Sequence, residues 1–184
     1  SAPHPRFPQQ QKLAVRKPTL RELLEKTEAL VTQRELRMNY NIEIKSTLED
    51  EKTGYQPDIV TFTDAVVKEI RARLSLDRFS VQSFDWRVLR YLHKSYPGVQ
   101  TVALIEGPYE AQAALRKLGF RPTVFSPYFK FLTKKDVSFF QAKNIKVIPW
   151  TVNEVSDMEA LRRLGVDGII TDYPDRIRAV KTSP

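Results

Sequence analysis

Cysteine is absent from this sequence of 184 residues. Disulfide bonds and thiolate metal sites are therefore excluded, and cytoplasmic and periplasmic locations are equally compatible with the composition. The chain also has no apolar run of about 18 residues, and its first residues contain no hydrophobic signal core. We therefore predict neither a membrane-spanning segment nor an export signal.

Glycine is scarce, with 6 residues, and none of them forms the pattern G-x-G-x-x-G. This absence excludes the usual dinucleotide-binding fingerprint. The formal net charge is +8, but lysine and arginine are scattered among acidic and apolar residues, as in the stretch 68–73. A nucleic-acid-binding surface would show a basic stripe with interleaved aromatic residues, so we predict no nucleic-acid partner.

The chain after the leader alternates β-type and helix-type patterns. Residues 1–17 are rich in proline and glutamine and predict an irregular leader. Thr19 and Glu22 then form a capping-box pattern that begins a helix. Strands are predicted at 40–46, 79–84, 101–106, 123–126, 145–152 and 167–172, and helices at 59–74, 86–96, 110–118, 134–143, 157–164 and from Pro174. From the second strand onward the spacing is about 22 residues, which is typical of parallel βα units with short loops.

Two architectures fit such a series, a doubly wound open sheet and a TIM (β/α)₈ barrel. Polar residues follow nearly every predicted strand, which favours a barrel because all its strands end at one mouth. We therefore predict an α/β fold of the TIM-barrel type, with six of the eight βα units recognisable and residues 1–184 forming a single domain.

The segment Tyr40–Ser46 is the most informative strand, because apolar Ile42 and Ile44 alternate with charged residues. Glu43 and Lys45 lie two residues apart and therefore share a face. A carboxylate there is suited to bind a hard cation such as Mg²⁺ or Ca²⁺, and the ammonium beside it is suited to an anionic substrate. The alternative is a simple ion pair at a strand end.

The chain resembles the glycerophosphodiester phosphodiesterases of bacteria. The resemblance depends on five stretches, namely Y-N-I-E-I-K (40–45), Q-S-F (82–84), S-P (126–127), P-W-T-V-N (149–153) and G-I-I-T-D-Y-P (168–174). The opening H-P-R-F-P-Q-Q-Q (4–11) is similar to the segment that precedes the third barrel strand in that family. The resemblance covers most of the chain and corresponds to the C-terminal two-thirds of the barrel.

This resemblance implies a hydrolase that uses a divalent metal, Mg or Ca, and two histidines to release glycerol 3-phosphate and an alcohol from a glycerophosphodiester. It implies that Glu43 is a metal ligand, that Lys45 contacts the phosphate, and that Phe84 and Trp150 line the glycerol side of the pocket. Asp172, Glu106 and Asn153 are candidates for supporting positions around these groups.

The family's H-R-G, E-x-D and H-D motifs are absent from this sequence. His4 lies in the leader and His93 in a helix, so neither takes a catalytic position and no catalytic residue is assigned. Asp172 has a second interpretation as the N-cap of a following helix. We expect the 184 residues alone to be inactive. The alternatives are a non-catalytic phosphate-binding relative and another barrel phosphodiesterase of the phospholipase C or D type.

Overall fold

The computed structural model describes residues 5, 6, 8–11 and 13–180. The chain forms two compact units, one that ends at Arg37 and one that begins at Met38. The first unit contains one helix, α1 (Leu20–Gln33). The Thr19 hydroxyl accepts a hydrogen bond from the Glu22 backbone N–H, and the Glu22 carboxylate accepts one from the Thr19 N–H. The predicted capping box is confirmed, whereas a single domain over 1–184 stays a prediction.

The second unit alternates strands and helices. Its strands are β1 (Tyr40–Glu43), β2 (Phe79–Ser83), β3 (Gln100–Ile105), β4 (Val124–Pro127) and β5 (Lys146–Val147), and its helices are α2 (Leu48–Lys52), α3 (Ile59–Arg71), α4 (Trp86–Ser95), α5 (Ala111–Leu118), α6 (Lys134–Gln141) and α7 (Val155–Leu164). Short 3₁₀ helices occupy Leu76–Arg78, Phe129–Phe131 and Pro174–Ala179. None of the helices in the described ranges is long and apolar enough to cross a membrane.

The five strands pair in parallel in the order β1-β2-β3-β4-β5. A doubly wound sheet reverses its strand order at a switch point, whereas strands of a barrel follow one another in sequence. The core lies between this sheet and the helices that cover it. Phe125 of β4, for example, is fully buried and stacks on Phe140 of α6 with ring centroids 4.1 Å apart.

The last predicted strand, 167–172, is not a strand in the structure, so five of the six predicted strands form. Two features weaken the hydrogen bonding between this segment and the chain around β5. Pro149 has no N–H to donate, and the Val147 N–H bonds to the Asp167 side chain at 2.8 Å instead of to a backbone carbonyl. The segment still follows β5 through backbone bonds from Ile170 to Pro149 and from Val152 to Ile170. It therefore extends the parallel order without forming a regular strand.

Helix α2 is an α-helix that the sequence pattern missed. It is five residues long and shows no helical apolar period, so hydrophobic spacing does not reveal it. Its beginning is fixed by Thr47, whose hydroxyl accepts a hydrogen bond from the Asp50 backbone N–H at 3.0 Å. The predicted last helix begins at Pro174 as expected, but it is a 3₁₀ helix.

Two tyrosines of the α4 region join that helix to α3. The hydroxyls of Tyr91 and Tyr96 both donate to Oδ1 of Asp64, at 2.8 and 2.6 Å. The bond to Asp64, with burial adding to it, raises the pKa of Tyr96 to about 12. Because the folded protein favours the neutral phenol, this stabilisation is complete below the usual tyrosine pKa of about 10 and is lost as the pH rises through about 12.

We expect Tyr96→Phe to lower the free energy of unfolding near pH 8, because it removes the bond to Asp64. The difference from the wild type should shrink between pH 10 and 12, since the wild type loses the same bond there. Urea unfolding at a series of pH values measures this difference. Tyr55→Phe is the control, because Tyr55 is 86% exposed. A difference that does not change with pH would contradict the assignment.

Candidate functional site

The candidate site lies at the carboxyl ends of β1 and β2. A cavity of about 200 Å³ opens there, and it is lined by Glu43, Ile44, Lys45, Ser46, Thr47, Asp50, Phe84 and Asp85. The paired register of β1 and β2 places Glu43 opposite Gln82. Phe84 therefore comes just after the strand end that faces Glu43. Parallel pairing thus brings three of the predicted site residues, Glu43, Lys45 and Phe84, to one cavity.

Glu43 and Lys45 form an ion pair across this cavity. The Lys45 Nζ lies 3.4 Å from Glu43 Oε1, and the two side chains are 81% and 21% exposed. Oε1 is nevertheless inaccessible to solvent and accepts no hydrogen bond of good geometry. The ion pair that was the alternative interpretation is therefore present. A largely exposed ammonium, however, compensates a buried carboxylate oxygen only weakly.

The Glu43 carboxylate fits one position of a divalent-metal site, because hard cations take carboxylate oxygens as ligands. Within the described ranges, however, no three histidine, cysteine, aspartate or glutamate side chains are grouped closely enough to hold a metal ion. Glu43 by itself therefore offers a single carboxylate ligand, and Mg²⁺ sites that use only one or two carboxylates are completed by water and substrate phosphate oxygens.

An aromatic cluster adjoins the cavity. Phe84 packs edge-on against Trp150 with ring centroids 5.3 Å apart, and Tyr128 lies 5.4 Å from Trp150 on another side. The indole N–H of Trp150 donates to the Ser126 carbonyl at 2.9 Å, which fixes the ring orientation. Phe84 is 45% exposed, so this cluster presents an apolar wall to a ligand at the strand ends.

The predicted supporting residues lie in two other places. Glu106 follows β3 and lines a second cavity of about 600 Å³, which includes Phe84 but not Glu43 or Lys45. Asn153 and Asp172 bond to each other, because the Asn153 amide donates to Asp172 Oδ2 and the Asp172 N–H donates to Asn153 Oδ1, both at 3.0 Å. The pair joins the two chain segments that follow β5.

The alternative in which Asp172 caps a helix is wrong. The 3₁₀ helix at Pro174–Ala179 has Tyr173 at its N-cap position, and no side chain caps it. His93 lies on α4 as predicted, where its ring stacks on Phe120 at a centroid distance of 4.2 Å. His4 lies outside the described residues.

Four residues of the site region were missed by the sequence analysis: Ser46, Glu51, Asp85 and Arg87. Asp85 was recognisable as an N-cap, since it directly precedes α4 and accepts from the Arg87 backbone N–H at 3.0 Å. Burial raises the pKa of the Asp85 carboxyl, but hydrogen bonds from the Arg87 guanidinium and the Ser46 hydroxyl outweigh it, so the pKa lies below its usual value. Asp85 is therefore an anion at neutral pH.

The fold and the site together define a parallel α/β protein of the barrel type, with a charged and aromatic cavity at the carboxyl ends of its strands. The chain belongs to the glycerophosphoryl diester phosphodiesterase family, whose model matches residues 4–176. The family predicted from the sequence is thereby confirmed.

Individual relatives agree with this family. The chain is 33% identical to a glycerophosphodiester phosphodiesterase of Bacillus altitudinis over 168 residues, 89% of this chain and 62% of that protein. It is also similar to the crystal structure of a putative glycerophosphoryl diester phosphodiesterase from Silicibacter pomeroyi DSS-3, with a TM-score of 0.79 and 28% identity. That similarity covers 95% of this chain and 60% of the other chain. The structural relatives are TIM barrels, so the predicted fold class is confirmed.

An Oleispira antarctica phosphodiesterase, solved with the product sn-glycerol-3-phosphate, is similar in fold with a TM-score of 0.68 and 22% identity, over 89% of this chain and 60% of that one. The chain thus spans about three-fifths of the length of these relatives.

Proposed function

We propose that this chain forms the phosphate-binding side of an active site that hydrolyses a glycerophosphodiester to glycerol 3-phosphate and an alcohol, in glycerophospholipid metabolism. The observation that carries the proposal is the cavity shared by Glu43, Lys45 and Phe84 at the carboxyl ends of two parallel strands. Active sites of barrel enzymes lie at this face. Family membership and the sn-glycerol-3-phosphate bound to the Oleispira antarctica relative support the same ligand class.

In this proposal Lys45 attracts the phosphate, because its ammonium lies at the cavity and is open to solvent. Phe84 and Trp150 pack against the carbon atoms of the glycerol, which are the apolar side of that group. Glu43 holds one position of a divalent metal, Mg or Ca. The metal, when bound, stabilises negative charge on the phosphoryl oxygens. Asn153 and Asp172 hold the chain after β5, next to Trp150, and Glu106 faces the neighbouring cavity.

A second candidate function is phosphate binding without hydrolysis. It is favoured by one observation, the absence of the H-R-G, E-x-D and H-D motifs from the sequence. The two candidates share the ligand and differ only in turnover, so binding and hydrolysis must be measured separately.

We expect Lys45→Met to weaken binding of sn-glycerol 3-phosphate by about tenfold. A hydrogen bond to a charged group contributes roughly 1.5–3 kcal/mol, and the solvent exposure of Lys45 places its effect at the lower end. Folding should be retained, since methionine replaces the unbranched stem of lysine without its charge and Lys45 is mostly exposed. Isothermal titration calorimetry measures the affinity, and circular dichroism the fold.

Lys94→Met is the matched control, because it removes one positive charge from an exposed position on α4. If both variants lose affinity equally, the effect comes from net charge rather than from the site. If Lys45→Met unfolds the protein, Lys45 serves the fold through its ion pair with Glu43, and the proposed phosphate contact is wrong.

A further inference from the structure

Lys45 is held in place by its backbone rather than by its side chain. The ammonium makes an ion pair with Glu43, and most of the side chain is exposed. An exposed lysine retains several rotatable bonds, so its mean position depends on where its Cα is fixed. The residues on either side, Ile44 and Ser46, are by contrast both buried.

The residue before Lys45 is fixed by β2. The Ile44 N–H donates to the Gln82 carbonyl at 2.9 Å, and the Ile44 carbonyl accepts from the Ser83 hydroxyl at 2.7 Å. Ser83 is fully buried, and its hydroxyl also accepts a hydrogen bond from the Asp85 N–H at 3.0 Å. The last residues of β2 therefore fix the end of β1 on the amino side of Lys45.

The residue after Lys45 is fixed by the turn that follows β2. The Ser46 hydroxyl donates to Asp85 Oδ2 at 2.9 Å. Asp85 is itself held by the Arg87 guanidinium, whose Nη2 lies 2.7 Å from Oδ2 and whose Nε lies 3.0 Å from Oδ1. The carboxylate is only 10% exposed, so these charge-assisted bonds are shielded from water.

Arg87 extends the arrangement to α2. Its Nη1 donates to Glu51 Oε2 at 2.7 Å, with the two side chains 29% and 25% exposed. Ser46, Glu51, Asp85 and Arg87 thus form one network, here called the Asp85 network. It joins the β1–α2 connection to the start of α4, and two of its members, Ser46 and Asp85, line the same cavity as Glu43 and Lys45.

We propose that Ser46, Asp85 and Arg87 are positioning residues that fix the backbone around Lys45 and so hold its ammonium at the phosphate position. This inference rests on the proposed function for the role of Lys45. The network holds the segment directly at Ser46, after Lys45, and it reaches Ile44, before Lys45, through the bond from the Asp85 N–H to Ser83. Loss of the Asp85 network should therefore weaken phosphate binding by making residues 44–52 more mobile.

The experiment combines hydrogen–deuterium exchange with calorimetric binding of sn-glycerol 3-phosphate. Ser46→Ala and Arg87→Met remove separate members of the network, and Ser46→Thr keeps the hydroxyl. Arg73→Met is the matched control, because Arg73 forms a similarly shielded pair with Glu69 on α3, with Nη1 2.9 Å from Oε2 and side chains 18% and 29% exposed.

We expect Ser46→Ala and Arg87→Met to speed amide exchange within residues 44–52 by about tenfold and to weaken binding of sn-glycerol 3-phosphate by about threefold to tenfold. Exchange in β3 should not change, which shows that the whole fold has not opened. Ser46→Thr and Arg73→Met should both show the amide exchange of residues 44–52 and the affinity for sn-glycerol 3-phosphate that the wild type shows.

Unchanged exchange of residues 44–52 in both variants would overturn the inference. Faster exchange with unchanged affinity would also overturn it, provided that Lys45→Met weakens binding. If Lys45→Met binds sn-glycerol 3-phosphate as tightly as the wild type, the proposed function is overturned instead. The exchange data then decide separately whether the Asp85 network anchors residues 44–52. If Arg87→Met does not fold, the smaller change Ser46→Ala decides the outcome.

Discussion

Replacing Glu43 with glutamine is expected to weaken binding of Mg²⁺ or Ca²⁺, measured in the presence of sn-glycerol 3-phosphate, by at least tenfold. Glutamine keeps the shape of the side chain but removes the charge that a hard cation requires. Lys45 already pairs with Oε1 of Glu43 at 3.4 Å, but this ammonium is 81% exposed and compensates the buried oxygen only weakly, so the negative charge of Glu43 still favours a cation. Calorimetric titration of the metal into the protein measures this change.

The matched control is Glu49→Gln. Glu49 is an exposed acidic residue on α2, so this variant makes the same change in charge outside the cavity. Metal affinity should remain within about twofold of the wild type in the control. Equal losses in the two variants, or no loss in Glu43→Gln, would show that Glu43 is not a metal ligand.

The second prediction concerns turnover. A chain of these 184 residues is expected to bind sn-glycerol 3-phosphate and to hydrolyse no glycerophosphocholine, with or without Mg²⁺ or Ca²⁺. Protonation of a leaving alkoxide requires an acid within hydrogen-bond reach of it. The sequence contains two histidines, and one of them, His93, lies on helix α4, where it stacks on Phe120. Of the carboxylates that line the cavity, Glu43 is assigned to the metal, Asp85 is held as an anion by Arg87 and Ser46, and Asp50 accepts a hydrogen bond from the Thr47 hydroxyl.

The assay uses size-fractionated protein and glycerophosphocholine with each metal in turn. The Bacillus altitudinis relative serves as the positive control, since it is named for this activity. Binding without turnover favours a phosphate-binding role for these residues. Robust metal-dependent turnover would mean that the catalytic groups are assigned wrongly, and loss of both binding and turnover would contradict the proposed function.

Local sequence pattern determined much of the fold. The alternation in Tyr40–Glu43, the capping box at Thr19 and the glycines that end α5 and α7 each depend on interactions within a few residues. Gly119 and Gly165 adopt positive φ angles of 87° and 81°, which side chains disfavour. Such signals act over short distances, so the order of the elements and the family were predictable from the residues alone.

The last strand shows where local pattern fails. Residues 167–172 have the composition of a strand, but whether a ladder forms depends on the partner segment. There Pro149 lacks an N–H, and the Asp167 side chain takes the bond of the Val147 N–H. Here a carboxylate side chain takes the place of a backbone carbonyl as the hydrogen-bond acceptor. The alternation of polar and apolar residues in the sequence gives no sign of this replacement.

The surroundings of the site were decided by tertiary structure. Glu43 and Lys45 were recognisable because they share one strand face, and their roles stay predictions until the variants are measured. The bonds that hold this segment join residues far apart in the chain, such as Ser46 with Asp85 and Glu51 with Arg87. Hydrogen bonds act over about 3 Å, and these pairs come within that distance only when β1 lies in parallel register against β2. The order of residues along the chain does not by itself show which residues of the two strands face each other.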